Sequence, residues 1–279
     1  MNKMDVTLKK DIFERVKLAK AAITNCNLCP RNCGVDRTAG EKGFCQLDDT
    51  VRYFREVLYF NDESELIPSY QIFFSGCNLG CEICVVSQWN EQPLTAEIID
   101  YEEMANRISC QFNQGAKTLN LLGGEPAVNL HGILELLSRI DSGIKVVWNS
   151  NMYYNDIVDN LINGIVGIYL ADFKCGSKDC AKKLLGTENY IEIIKKNILR
   201  AIEHSDVIIR HILMPGHRKC CLEPILKWIK TEIPDVKLSL LDNYLPPIES
   251  VSAPKEYLKP QEFQSATELA KNMGLNLIK

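Results

Sequence analysis

The chain has 279 residues, 46% of them apolar and 24% charged, with a net charge of −4. That suffices for a barrel-sized core in the proportions of an ordinary soluble globular protein. A slightly acidic chain with no basic stripe excludes a nucleic-acid-binding role, and twelve cysteines clustered at C-x2-C and C-x3-C spacings point to metal rather than to a disulfide framework.

The N-terminal stretch lacks the apolar core of a secretory signal. Residues 5–24 set Val6, Ile12, Phe13, Val16, Leu18, Ala19 and Ile23 on roughly one face of an amphipathic helix. Cys26, Cys29, Cys33 and Cys45 follow at C-x2-C-x3-C-x11-C spacing. Four thiolates in such a group suit an auxiliary [4Fe–4S] cluster or a structural zinc. Because protein fills every position, the expected role is structural or electron-conducting. Val51 to Phe60 alternates and predicts one strand.

Gln71 to Ser75 is apolar and β-prone and predicts a buried strand leading into Cys77, Cys81 and Cys84, with Gly76 and Gly80 loosening the loop. A cubane cluster takes four cysteine ligands, so three leave one iron open for chemistry. Further strands are predicted at 118–122, 144–149, 165–172, 206–213 and 236–242, and helices near 99–114, 129–140, 153–163, 189–204, 221–232 and 260–273, with Gly115 and Gly143 ending two of them. Repeated βα units imply a parallel sheet, and six units are fewer than a closed eight-unit barrel needs. The expected fold is therefore α/β, a partial (β/α)6 barrel with a small N-terminal cysteine-rich module. The expected domains are a helix and cysteine module over 1–69, a barrel over 70–245 and an extension over 246–279, where Pro246 to Pro254 reads as a linker before the last helix. The longest apolar run, near Ile165 to Ala171, is too short to span a membrane, so the expected location is cytoplasmic.

The run Cys77-Asn78-Leu79-Gly80-Cys81-Glu82-Ile83-Cys84 followed by Gly123-Gly124-Glu125-Pro126 resembles the radical S-adenosylmethionine (SAM) superfamily, with Ile83 where that family usually has an aromatic residue. The resemblance implies that Cys77, Cys81 and Cys84 hold a [4Fe–4S] cluster whose open iron chelates the amino and carboxylate groups of SAM. It further implies reductive cleavage of SAM to a 5′-deoxyadenosyl radical that abstracts hydrogen from a substrate. It also implies that Gly123, Gly124, Glu125 and Pro126 contact the SAM amino group. The segment from Cys26 to Cys45 is similar to the start of homologues of pyruvate formate-lyase activating enzymes.

Reactive groups of parallel βα folds gather at the C-terminal ends of strands. Asn149 and Ser150 stand at one such end to hold the SAM carboxylate or ribose, while Asn151 suits either that role or the N-cap of helix 153–163. Asp172-Phe173-Lys174 resembles an activating-enzyme motif. Asp172 and Lys174 share one side and suit a SAM carboxylate contact, a cation site or a salt bridge. Arg210 and His211 begin an Arg-x-x-x-x-Pro-Gly pattern that lines the SAM site in activating enzymes, His211 equally suiting the core, with His217 facing substrate. Asp242-Asn243-Tyr244 resembles a motif that ends the barrel in the homologue subgroup, with Tyr244 as packing. Cys175 and Cys180 flank a loop suited to a third metal site or a reactive thiol; Cys110, Cys220 and Cys221 have no assigned role. The resulting expectation is an oxygen-sensitive radical SAM oxidoreductase of the glycyl-radical-activating kind, acting on a protein or peptide and reduced by flavodoxin or ferredoxin. A radical SAM enzyme of small metabolites and an iron–sulfur electron-transfer protein are the alternatives.

Overall fold

The computed structural model describes residues 3–61 and 63–278. Its elements, in chain order, are α1 (Lys3–Ala22), β1 (Arg52–Tyr59), β2 (Ser69–Phe74), the single turn α2 (Gln88–Glu91), β3 (Glu97–Ile98), α3 (Tyr101–Asn113), β4 (Thr118–Gly123), α4 (Leu130–Leu137), β5 (Val146–Ser150), α5 (Asp156–Ile162), β6 (Val166–Asp172), α6 (Lys178–Leu185), α7 (Tyr190–Ile202), β7 (Asp206–Ile212), α8 (Glu223–Glu232), β8 (Lys237–Leu241), α9 (Pro260–Asn272) and β9 (Asn276–Ile278). The chain divides into two compact units, one comprising the stretch up to Asn78 with 88–149 and 154–167, the other 79–87, 150–153 and the stretch from Ile168 onward.

In the first unit the strand order is β3-β1-β2-β4-β5. β1 runs antiparallel to β2, from Tyr53 opposite Phe74 to Tyr59 opposite Ser69, and belongs to the sheet itself. β2 and β4 are parallel from Ser69–Thr118 to Phe74–Gly123, and β4 and β5 from Leu119–Val146 to Leu121–Trp148. Ile72, Phe74, Leu119, Leu121, Val147 and Trp148 are fully buried. Burial on both faces is why these strands read as continuous apolar runs. Helix α1 buries Val16 and Ala19, and Ile23, in the turn just past its end, continues the same face, the three spaced three and four residues apart. Phe13 and Leu18, expected on that face, are 50% and 57% exposed, and the side chain of Val6 lies outside the described residues. Arg15 ties α1 to the carbonyls of Leu161 and Asn163, and Lys20 pairs with Glu135 of α4 at 2.9 Å.

The second unit carries β6, β7, β8 and β9, all parallel, with Asp172 opposite Arg210 and Ile212 opposite Leu241. Six strands (β2, β4, β5, β6, β7 and β8) are those of the expected (β/α)6 pattern, each within two residues of its predicted span. Helix α6 was not expected. Ser177 caps it by accepting from the Cys180 N–H, and Gly186, at φ +68°, ends it. Its buried residues are Cys180, Ala181, Leu184 and Leu185. Gly143 ends no helix, because α4 stops at Leu137; its N–H bonds the Asp141 carboxylate instead. Among the described residues no helix is long and apolar enough to cross a membrane.

Candidate active site

In the first unit, β2 delivers the chain to Gly76 and Cys77. Gly76 adopts φ +82°, where a Cβ would stand 2.6 Å from Leu47 Cδ1. Its N–H donates to the Trp89 carbonyl at 3.0 Å. Cys77 and Asn78 are buried, and the Asn78 carbonyl accepts from Arg31 Nε at 3.0 Å. The glycines of the Gly-Gly-Glu-Pro turn have an immediate steric cause. A Cβ on Gly123 would lie 2.2 Å from the Phe74 carbonyl oxygen, and one on Gly124 2.1 Å from that of Gly76. With no side chains in the way, the Gly124 N–H donates to Phe74 O (2.8 Å) and the Glu125 N–H to Gly76 O (2.9 Å). The turn is thereby bonded to the backbone that presents Cys77. Glu125 is buried, and its carboxylate accepts from the Ala127 N–H at the 3-10 turn that Pro126 opens.

The N-terminal cysteines line one small cavity: Cys26, Cys29, Cys33 and Cys45 surround it with Phe44 and Asn78. Burial pushes the Cys29 thiol up to about 12, although the Arg31 backbone N–H opposes it, and burial likewise raises Cys45 against the charge of Arg37. A bare thiolate is thus disfavoured here, and a metal ion is what would stabilise one. The Phe44 N–H points at Cys33 Sγ from 3.3 Å, and Gly43 must lack a side chain because its Cβ would meet that sulfur at 2.8 Å. Arg31 lies over the Phe44 ring at 3.8 Å while bonding Asn78. The cysteine module therefore abuts the start of the Cys77 loop.

In the second unit, the rest of that loop rests on the last turn of α6. Gly80 N–H donates to Leu185 O (3.3 Å), Glu82 N–H to Leu184 O (2.9 Å), and Cys84 N–H closes a turn on Cys81 O (3.1 Å). The segment expected as a linker also bonds here. The Glu82 carboxylate accepts from Ser250 Oγ at 2.5 Å and the Val251 N–H at 3.1 Å, and the Ser250 bond holds its pKa below the ordinary carboxylate value. Tyr244, buried, donates to the Pro254 carbonyl at 2.7 Å and closes this strap from within.

Asp172 sits at the end of β6 between two cations. Arg210 Nε lies 2.7 Å from one oxygen and Lys174 Nζ 2.9 Å from the other. Burial alone would raise the Asp172 pKa, but the charges of Arg210 and Lys174 outweigh it and hold the carboxyl well below its usual range. Lys174 answers in the opposite direction. Burial would lower it, yet Asp172 and then Cys81 raise it. Phe173, between them, points into the core against Tyr190 and Trp228. His211 is buried. Its Nδ1–H donates to the Phe173 carbonyl at 2.7 Å, and burial lowers its pKa to about 4, so the ring is neutral at pH 7.

Asn149 and Ser150 are buried at the end of β5. Ser150 Oγ accepts from the Met152 N–H and Asn151 Oδ1 from the Tyr153 N–H. Asn151 is therefore a turn residue and not the cap of the next helix, which begins only at Asp156 because these side-chain bonds compete with helical ones. His217, expected to face substrate, turns its Nδ1 toward three thiols, those of Cys180, Cys220 and Cys221. The sequence held the signals for that group, a helix cap at Ser177 and the His-x2-Cys-Cys run, but 37 residues separate His217 from Cys180.

The family model of the Radical SAM superfamily matches residues 72–229. The chain is 37% identical over 272 residues to the uncharacterized protein MJ0674 of Methanocaldococcus jannaschii, covering 95% of this chain and 79% of that one. Among solved structures it is similar to a radical SAM methyltransferase from Sphaerobacter thermophilus, with TM-score 0.55 and 14% identity over 83% of this chain and 77% of that one. Streptococcus suis SuiB bound to the precursor peptide SuiA gives TM-score 0.54 at 13% identity, over 72% of this chain. This chain spans 46% of SuiB, and such identities establish a shared fold.

Proposed function

The chain belongs to the radical SAM superfamily, and we propose on that premise that it cleaves SAM reductively and abstracts hydrogen from a protein or peptide, as glycyl-radical-activating enzymes do. The observation that carries this reading is the Cys77-x3-Cys81-x2-Cys84 loop, fed by a buried strand whose end is bonded to the Gly123–Pro126 turn. The residues present fit a [4Fe–4S] cluster and SAM. Three soft thiolates leave one metal position for a chelating ligand, and a Cβ on Gly124 would drive the turn away from Cys77's strand. When bound, the pair supplies a low-potential electron and a hydrogen-abstracting radical. The protein's own part is to fix the loop through main-chain bonds and to set cationic Lys174 near Cys81. Asn149, Ser150 and Arg210, at strand ends, are the proposed further SAM-binding groups, with His211 orienting the β6 exit through Phe173.

The strap favours a macromolecular substrate. Ile248 and Val251, on the segment bonded to Glu82, are each 95% exposed. Apolar side chains there offer purchase to a polypeptide, whose remote binding energy would position the target C–H. SAM alone should then be cleaved slowly, and a cell fraction containing proteins or peptides should accelerate 5′-deoxyadenosine release, measured after separation by size. Stimulation confined to the low-mass metabolite fraction would replace this reading with a metabolite-modifying one.

We further propose that Cys26, Cys29, Cys33 and Cys45 hold a second [4Fe–4S] cluster, a relay from flavodoxin or ferredoxin. The cavity between the four thiols, the N–H directed at Cys33 Sγ and the contact with Asn78 support it. Anaerobic reconstitution should give about eight irons per chain. About four irons, with a zinc lost on Cys26→Ser/Cys29→Ser substitution, would make this site structural zinc. All twelve cysteines are free of disulfides, which supports a reducing, cytoplasmic setting.

A further inference from the structure

We propose that Cys180, His217, Cys220 and Cys221 form a mononuclear zinc site that clamps the loops following β6 and β7 to each other. The four ligand atoms lie within 4.8 Å of one another. His217 Nδ1 stands 3.6 Å from Cys180 Sγ, 3.4 Å from Cys220 Sγ and 3.7 Å from Cys221 Sγ. A tetrahedral ion with bonds of about 2.3 Å to sulfur and about 2.0 Å to nitrogen sets nitrogen–sulfur separations at about 3.5 Å. The three observed distances bracket that value. Hydrogen bonding does not account for them, since one ring nitrogen has a single proton or lone pair to share among three sulfurs. A cubane cluster does not either, because its thiolates sit on separate irons and stand further apart than those around one ion. Three thiolates and one imidazole are a closed structural zinc set, and three thiol protons leave to solvent as the ion binds.

The fold builds this group from two strand exits. Asp172 pairs with Arg210 in register, so the segments after β6 and β7 emerge side by side. After β6, Ser177 caps α6 and puts Cys180 in its first turn. After β7, Gly216 at φ +73° reverses the chain, and a π turn over Arg218–Leu222 follows, in which the N–H groups of Cys221 and Leu222 both reach the His217 carbonyl at 2.9 and 3.4 Å. The two loops touch backbone to backbone, for a Cβ on Gly176 would stand 2.2 Å from the Cys221 carbonyl oxygen. Cys180 and Cys221 are buried. The same α6 props the cluster loop at its other end, through the carbonyls of Leu184 and Leu185. Zinc here would fasten that shelf without entering the SAM chemistry.

The test is metal analysis of the full chain expressed with zinc and washed with a weak chelator, with cobalt(II) as the optical probe. Cys180→Ser/Cys220→Ser should lose about one zinc per chain, whereas Cys110→Ser and Cys26→Ser/Cys29→Ser should keep that zinc. The His217→Cys chain should keep the metal and shift the cobalt ligand-field bands from a three-sulfur, one-nitrogen pattern to a four-sulfur one. Undiminished zinc in Cys180→Ser/Cys220→Ser would overturn the proposal. If that variant fails to fold, an unchanged cobalt spectrum in His217→Cys would do the same.

Discussion

Cys81→Ala protein, reconstituted anaerobically, is expected to release no 5′-deoxyadenosine above background and to hold about four fewer irons per chain than the parent. The loop supplies three thiolates, and two do not retain a cluster that already lacks a fourth protein ligand. Loss of the fold would not explain the result. Cys81 is only half-buried, so truncation leaves no core cavity. The main-chain bonds from Gly80 to Leu185, Glu82 to Leu184 and Cys84 to Cys81, and the side-chain bonds of Glu82 to Ser250 and Val251, do not involve the Cys81 thiol and survive the substitution. Thermal unfolding of the apoprotein should therefore be nearly unchanged. Cys110→Ser, on the exposed face of α3, is the matched control and should keep full activity. Normal deoxyadenosine release from Cys81→Ala would end the radical SAM reading.

Six of the parallel strands, β2, β4, β5, β6, β7 and β8, were legible because burial on both faces writes each as an apolar run closed by turn residues. Elements of a few residues were not. β3 and β9 are two and three residues long and take their conformation from neighbours, not from their own pattern. Helix α6 left better signals, Ser177 and Gly186 at its ends and apolar Cys180, Ala181, Leu184 and Leu185 on one face, but its first turn falls in the stretch read as a loop flanked by Cys175 and Cys180, and eight residues are too few for periodicity to decide. The early start expected for α5 failed for a local reason. Ser150 and Asn151 spend their side chains on Met152 and Tyr153, which delays the helix to Asp156.

Grouping that depends on spacing along the chain can be read locally, as with Cys26, Cys29, Cys33 and Cys45, which line one small cavity. What depends on strand register cannot. The meeting of Cys180 with His217, Cys220 and Cys221 follows from Asp172 lying opposite Arg210, a pairing that no local pattern encodes. The strap was misread for a similar reason. Pro246 and Pro254 do forbid regular structure, yet Ser250 and Val251 find their partner in Glu82, 168 and 169 residues earlier. Glycine, too, carried a different message. Gly123 and Gly124 were expected to make room for a ligand, and the first thing they make room for is the backbone of Phe74 and Gly76.

Asp172→Asn is expected to cost about 3 kcal/mol at pH 7, by urea unfolding of the apoprotein, and to cut deoxyadenosine formation at least about tenfold. The carboxylate is the common partner of Arg210 and Lys174, whose side chains are only 14% and 23% exposed. Asparagine keeps the shape but leaves two partly buried cations facing each other without a counter-charge. The pH dependence gives a signature that mere loss of packing would not. Asp172's folded pKa is depressed, so its contribution is complete above the unfolded value of about 4 and fades as pH falls below that toward the folded value. The stability gap between parent and variant should thus be constant from pH 7 down to about 4 and narrow on further acidification. Lys174, shifted upward, contributes fully below about pH 10 and leaves this acid limb untouched. Activity should fall for a linked reason. Lys174, released from Asp172, is free to move relative to Cys81, whose charge it senses in the folded protein. A gap that does not narrow in acid, or a variant as stable as the parent at pH 7, would show that the Asp172–Arg210–Lys174 cluster does not brace this end of the sheet.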